Sequence, residues 1–207
     1  MAICNNLSGT LLLGKLNFFS ICTVKRGQIL FMKILMVCLG NICRSPLAEG
    51  IMKRLAKERG INWQIESAGT SDWGAGQKPD RQSIRTARRY GINISKQVGR
   101  QFTTSDFDAF DVIYAMDMNN RRDILRMARN EADAAKVKLL LSDKIVPDPR
   151  GEKKMFEPVF KLILEGCKEI IKPYGTKKAP APPKARISIW VALKSYFQGH
   201  LRAFNQL

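Results

Sequence analysis

The stretch Ile34-Leu35-Met36-Val37-Cys38-Leu39-Gly40-Asn41-Ile42-Cys43-Arg44-Ser45-Pro46 decides how this chain is read. Its first half is a short apolar run ending at Gly40, the pattern of a strand buried on both faces. A second pattern opens at Pro46, with Leu47, Ile51 and Leu55 at four-residue steps until Gly60, and this predicts an amphipathic helix over residues 46–59. The loop between them holds Gly40, which admits unusual backbone angles. Strand, tight loop and helix start, in that order, build a cradle for an anion. Backbone N–H groups of residues 39–45 can converge on it where the helix dipole favours negative charge. Leu39, Gly40, Asn41, Ile42, Cys43 and Ser45 are therefore candidate substrate-binding positions. The Lys-Ser/Thr spacing of a Walker A loop is absent.

Cys38 and Arg44 give the cradle its chemistry. Converging N–H donors favour a thiolate at Cys38. The planar fork of Arg44 can hold two phosphoryl oxygens, which Lys could not match. Thiolate, cradle and guanidinium together suit attack on phosphorus with a phosphocysteine intermediate. The leaving group then needs a proton donor. The chain has one His, His200, far from this segment, so the donor is expected to be a carboxylic acid. Asp148, in Val146-Pro147-Asp148-Pro149, follows the last predicted strand and can return to the sheet's carboxyl edge. On spacing alone Asp143, Asp117 and Asp72 remain alternatives.

Outward from this stretch, strand and helix patterns alternate. Strands are predicted over 63–67, 111–116 and 137–141. Helices are predicted from an Asp80 cap to Tyr90, over 119–129, and over 154–171 with Phe156, Val159, Phe160, Ile163, Cys167 and Ile170 on one face. Short links between alternating elements imply an α/β fold: a four-stranded parallel sheet with helices on both faces and a phosphate-binding loop between the first strand and the first helix.

At 207 residues one domain is the default. The net charge of +17 is concentrated at the ends. Residues 1–31 hold Lys15, Lys25 and Arg26, residues 172–207 hold Lys172, Lys177, Lys178, Lys184, Arg186, Lys194 and Arg202, and neither end has an acid. A nucleic-acid binder would place its basic stripe on the folded domain, so no nucleic-acid partner is expected. Residues 1–31 read as an extension outside the domain; Lys15 interrupts the apolar run a secretory signal needs. The domain is expected over 32–171, followed by a Pro-rich linker and basic tail over 172–207. In that tail Trp190, Leu193, Phe197, Leu201 and Phe204 fall near helical spacing; docking on the domain or disorder is expected, with membrane-surface contact the alternative. The five Cys carry no disulfide-scaffold or metal spacing, and no apolar run is long enough to span a bilayer. Cys167 reads as core, and Cys43 as a small buried side chain or the partner in a reversible disulfide that protects Cys38.

Cys38 to Pro46 with Leu47-Ala48-Glu49, Ser67-Ala68-Gly69-Thr70, Met116-Asp117-Met118-Asn119-Asn120 and Asp148-Pro149 together resemble the low-molecular-weight protein tyrosine phosphatase family over residues 32–171. The resemblance implies a cytoplasmic enzyme acting on phosphotyrosine protein or a small phosphomonoester, without metal or organic cofactor. It implies Cys38 as nucleophile, Arg44 as transition-state binder and Asp148 as general acid, then base. It also implies that Ser45 steadies the thiolate and Asn41 braces the loop. One departure stands out: the family commonly has Tyr after the acid's Asp-Pro, and here Arg150-Gly151 follows. That leaves Trp73 as the aromatic wall and Arg150 as an attraction for anionic substrates. Arsenate reduction on the same scaffold is the alternative, but the helix after Met116 lacks the relay cysteines it needs. Phosphoarginine phosphatases resemble a loop with Thr where Ile42 stands. The alternative from another class is a basic protein binding membrane or nucleic acid through its tails.

Overall fold

The computed structural model describes residues 31–174. Expectations placed on the two ends (extension over 1–31, Pro-rich linker and tail helix over 172–207) fall almost wholly on residues 1–30 and 175–207, outside that range. Of the expected linker, Tyr174 is described and packs edge-on against Trp63 at 4.8 Å. Four strands, β1 (Lys33–Cys38), β2 (Gln64–Gly69), β3 (Val112–Ala115) and β4 (Val137–Leu139), form one sheet. Its order is β2-β1-β3-β4 and every pairing is parallel. The helices are α1 (Arg44–Glu58), α2 (Arg81–Arg89), α3 (Asp106–Ala109), α4 (Met118–Arg126), α5 (Glu131–Ala135) and α6 (Phe156–Ile171).

The central strand β1 explains the layering. Ile34, Leu35, Met36 and Val37 are all fully buried, as an unbroken apolar run requires when helices cover both faces. Ile34 and Met36 join a core with Leu47 and Ile51 of α1 and Phe160 and Ile163 of α6. Leu35 and Val37 point the other way, to Phe107 of α3 and Ile124 of α4. Burying each such side chain contributes about 1.5–3 kcal/mol. The predicted α6 face holds with one shift: Ile171 is fully buried and Ile170 only partly, because the four-residue step from Val159 through Ile163 and Cys167 lands on Ile171.

Asp80 caps α2 as expected, accepting from the N–H groups of Gln82 (2.7 Å) and Ser83 (3.4 Å). The strand predicted over 137–141 stops at Leu139, and α3 and α5 had no counterpart in the sequence reading. At four and five residues these helices are too short to show a helical period. Local side chains specify them instead: the Asp106 carboxylate accepts from the Thr103 N–H at 2.8 Å, and Asn130 caps α5 through the Asp133 N–H at 2.9 Å. Because every pairing is parallel, the carboxyl ends of β1, β3 and β4 lie at one edge, where residues 38–45, Asp117 and Asp148 meet.

Candidate active site

The loop from Cys38 to α1 is held from outside. The Cys38 carbonyl accepts from Thr70 N–H (2.9 Å), that of Leu39 from Ser71 N–H (2.9 Å), and that of Ile42 from Asp80 N–H (2.8 Å). Among the described residues, the N–H groups of Gly40, Asn41, Ile42 and Cys43 have no protein acceptor. The start of α1 adds to them, since Cys43 provides no side-chain cap and no acid lies in the first turn. Carbonyls engaged and amides free is the arrangement an anion site needs.

Backbone geometry here corrects one expectation. The left-handed residue is Asn41, at φ 53°, and Gly40 has no positive φ. Asn tolerates that region better than other side chains, and its amide is tied at both ends. Its Oδ1 accepts from Arg100 N–H and its Nδ2 donates to Ser45 Oγ, both at 2.9 Å. Gly40 is needed for space: a Cβ there would lie 2.2 Å from the Trp73 ring. Gly74 is equally confined, because a Cβ would fall 1.8 Å from the Gly40 carbonyl oxygen. Gly74 and Arg100 thus support the loop through backbone approach and a backbone N–H. Neither leaves a sequence signal apart from glycine in a polar loop.

Cys38 ends β1 and is buried, with Sγ 2.9 Å from Ser45 Oγ. The Ser45 hydroxyl receives the Asn41 amide, so its one proton is left for either Cys38 Sγ or the Ala68 carbonyl at 3.3 Å. Sulfur is the nearer partner, and a thiolate there gains a charge-assisted hydrogen bond. Arg44 is almost wholly buried; Nη1 lies 2.5 Å from Asp117 Oδ2 and donates to the Val146 carbonyl at 3.1 Å, and Nη2 is 3.6 Å from Asp148 Oδ2. Asp117 also caps α4 through the Asn120 N–H at 2.7 Å, so this alternative acid braces Arg44 and α4 and does not line the hollow. One hollow is lined by Cys38, Arg44, Trp73, Asp148 and Arg150 together with Leu39, Gly40, Ile42 and Cys43. Asn41 and Ser45 stand behind it as supports.

The other thiols are in different surroundings. Burial pushes Cys43 up to about 12, with Asp80, Cys38 and Asp148 adding to the rise. Burial alone raises Cys167, which sits in the α1–α6 core with Sγ 3.9 Å from the Ala48 carbonyl. Among the described residues, no three His, Cys, Asp or Glu side chains come together to hold a metal ion. No helix among them is long and apolar enough to cross a membrane.

Comparison with known proteins gives a consistent result. The family model described as "Low molecular weight phosphotyrosine protein phosphatase" matches residues 33–179. The pig protein of that name is 37% identical over 147 residues, covering 67% of this chain and 92% of its own length. A Drosophila arginine phosphatase structure superposes with TM-score 0.66 and 32% identity, covering 70% of this chain and 99% of that one. Wzb of Vibrio vulnificus, solved with benzylphosphonate, gives TM-score 0.63 and 29% identity, covering 69% and 99%. A family match over more than half of the chain, on a fold that brings the Cys-to-Arg loop and the Asp-Pro loop to one hollow, places this protein in the low molecular weight phosphotyrosine protein phosphatase family of cysteine-dependent phosphatases.

Proposed function

We propose that the protein hydrolyses phosphomonoesters, above all phosphotyrosine in proteins, through a phosphocysteine at Cys38. The observation that carries this reading is the meeting of Cys38, Arg44 and Asp148 in one hollow, with Asp148 3.6 Å from the guanidinium. The phosphoryl group sits on the free N–H groups of residues 40–43, and Arg44 binds two of its oxygens. Cys38 sulfur attacks phosphorus, the P–O bond to the leaving oxygen breaks, and Asp148 passes its proton to that oxygen. Water then attacks phosphorus and gives its proton to the Asp148 carboxylate. The S–P bond breaks, phosphate leaves and the thiolate returns.

Trp73, 39% exposed at the rim, supports an aryl ester, since ring pairs add about 0.5–1.5 kcal/mol beyond burial. The similarity to a Drosophila arginine phosphatase makes phosphoarginine the second reading. Ile42 weighs against it: this side chain lines the hollow and offers no acceptor to a guanidinium N–H. Arsenate reduction needs a relay thiol, and among the described residues the thiols other than Cys38, those of Cys43 and Cys167, are both buried with their titration raised by burial.

The test compares p-nitrophenyl phosphate, a phosphotyrosine peptide and a phosphoarginine peptide in the wild type, Cys38→Ser and Asp148→Asn. Cys38→Ser is expected to lose at least about 10⁴-fold. Asp148→Asn should lose about 10²-fold on the phosphotyrosine peptide and less on p-nitrophenyl phosphate, whose leaving group departs unprotonated. Equal loss on both esters moves the acid elsewhere, and faster turnover of the phosphoarginine peptide moves the substrate.

A further inference from the structure

Arg150 occupies the place where the family resemblance leads one to expect an aromatic ring, and its setting is specific. Its guanidinium carbon lies 4.6 Å from the centroid of the Trp73 ring. Stacking of this kind holds the guanidinium plane without using any N–H group. The backbone N–H donates to Asp148 Oδ1 at 3.1 Å, and Nε is 3.5 Å from Asp148 Oδ2. Among the described residues, neither Nη group donates a hydrogen bond to a protein acceptor, and the ion pair with Asp148 is nearest at Nε. The side chain is 45% exposed, so it faces the rim of the hollow.

The phosphoryl group already has its donors in the loop amides and in Arg44, which is deep where Arg150 is shallow. An anion reaching Arg150 must therefore belong to another part of the substrate. We propose that Arg150 is a specificity-determining residue whose Nη groups take the carboxylate of an acidic residue flanking the phosphotyrosine. This inference rests on the phosphotyrosine reading above. Trp73 supports the guanidinium at 4.6 Å, Asp148 meets it nearest at Nε, and the side chain is exposed enough for a substrate carboxylate to reach it. A partly exposed, charge-assisted contact of this kind is worth about a fivefold to tenfold preference.

Peptides that differ only in having Glu, Gln or Lys beside the phosphotyrosine provide the experiment. The ratio of kcat/KM values is read within each enzyme, so any general effect of a substitution cancels. Wild type is expected to favour the Glu peptide over the Gln peptide about fivefold to tenfold at low salt, with the ratio shrinking toward one near 1 M salt. Arg150→Ala should bring the ratio to one, and Arg150→Glu should turn it toward the Lys peptide. A wild-type ratio of one, or a ratio unchanged in both variants, overturns the inference. Failure of all three peptides to turn over in a Cys38-dependent way instead removes the phosphotyrosine reading beneath it.

Discussion

Two segments meet over Cys38, and they are secured by opposite means. In residues 38–43 the backbone does the holding: the carbonyls of Cys38, Leu39 and Ile42 accept from the N–H groups of Thr70, Ser71 and Asp80, and Gly40, Asn41 and Cys43 are buried. In residues 146–151 burial is confined to Val146 and Pro149. Val146 is fully buried and its N–H donates to the Met116 carbonyl at 2.8 Å, whereas Asp148 and Arg150 are exposed and Gly151 turns at φ 88° with nothing within 4 Å of a Cβ placed there. On the proposed mechanism the difference follows from what each segment would do. Donors that stabilise a phosphoryl transition state act without reorganisation only if fixed beforehand. A proton donor has to meet leaving oxygens of varied shape, which an exposed carboxylate on a short turn can do.

Substitutions that strain one segment and spare the other can break this contrast. The largest effect is expected from Gly74→Ala, which drives a methyl group to 1.8 Å from the Gly40 carbonyl oxygen. Backbone cannot yield as a side-chain tip can, so the cradle must move. A displacement of about 1 Å costs about 10²-fold, and inhibition by inorganic phosphate should weaken alongside kcat/KM. Intact phosphate inhibition in this variant would mean the loop is not rigidly supported.

Asp117→Asn should come next. The substituted amide keeps the shape at the start of α4 but removes the carboxylate 2.5 Å from the buried Arg44. Breaking a buried pair costs about 3–5 kcal/mol when nothing else is near, and Asp148 at 3.6 Å offsets part of that. A loss of about 2 kcal/mol in urea unfolding and about tenfold in kcat is expected. A variant as stable and active as wild type would show that Arg44 is positioned by the Val146 carbonyl alone.

Gly151→Ala is the smallest change and the sharpest discriminator. A Cβ at this positive φ costs about 1 kcal/mol in a turn with open space around it. It should slow phenyl phosphate, a poor leaving-group ester, by about fivefold and leave phosphate inhibition at its wild-type value. Equal effects on both measurements would join the two segments into one unit.

The boundary between legible and illegible residues runs through the same site. Cys38 and Arg44 could be read together because their chemistry is carried by side-chain type and by place at either end of a strand-to-helix loop. Spacing left Asp148 beside Asp143, Asp117 and Asp72, and only the family resemblance singled it out. Trp73 and Arg150 were also visible as separate residues, but their stacking at 4.6 Å was not. Gly40 was read as a source of backbone freedom, yet the left-handed turn belongs to Asn41 and Gly40 makes room for an indole ring. Gly74 and Arg100 could not be found, since a glycine's tolerance and a main-chain N–H carry no residue-specific mark. The short helices α3 and α5 escaped for a related reason, because one turn has no period to detect.

By itself the sequence determined the alternation of buried strands with amphipathic helices, and with it a parallel sheet, because hydrophobic periodicity is a local property written residue by residue. It also determined that one thiol and one guanidinium stand on either side of a loop between strand and helix. Only the tertiary structure decided the strand order β2-β1-β3-β4, the pairing of Arg44 with Asp117 across 73 positions and the stacking of Arg150 on Trp73. Those contacts join segments distant in the chain, and their energy exists only once the sheet has brought the segments to a common edge.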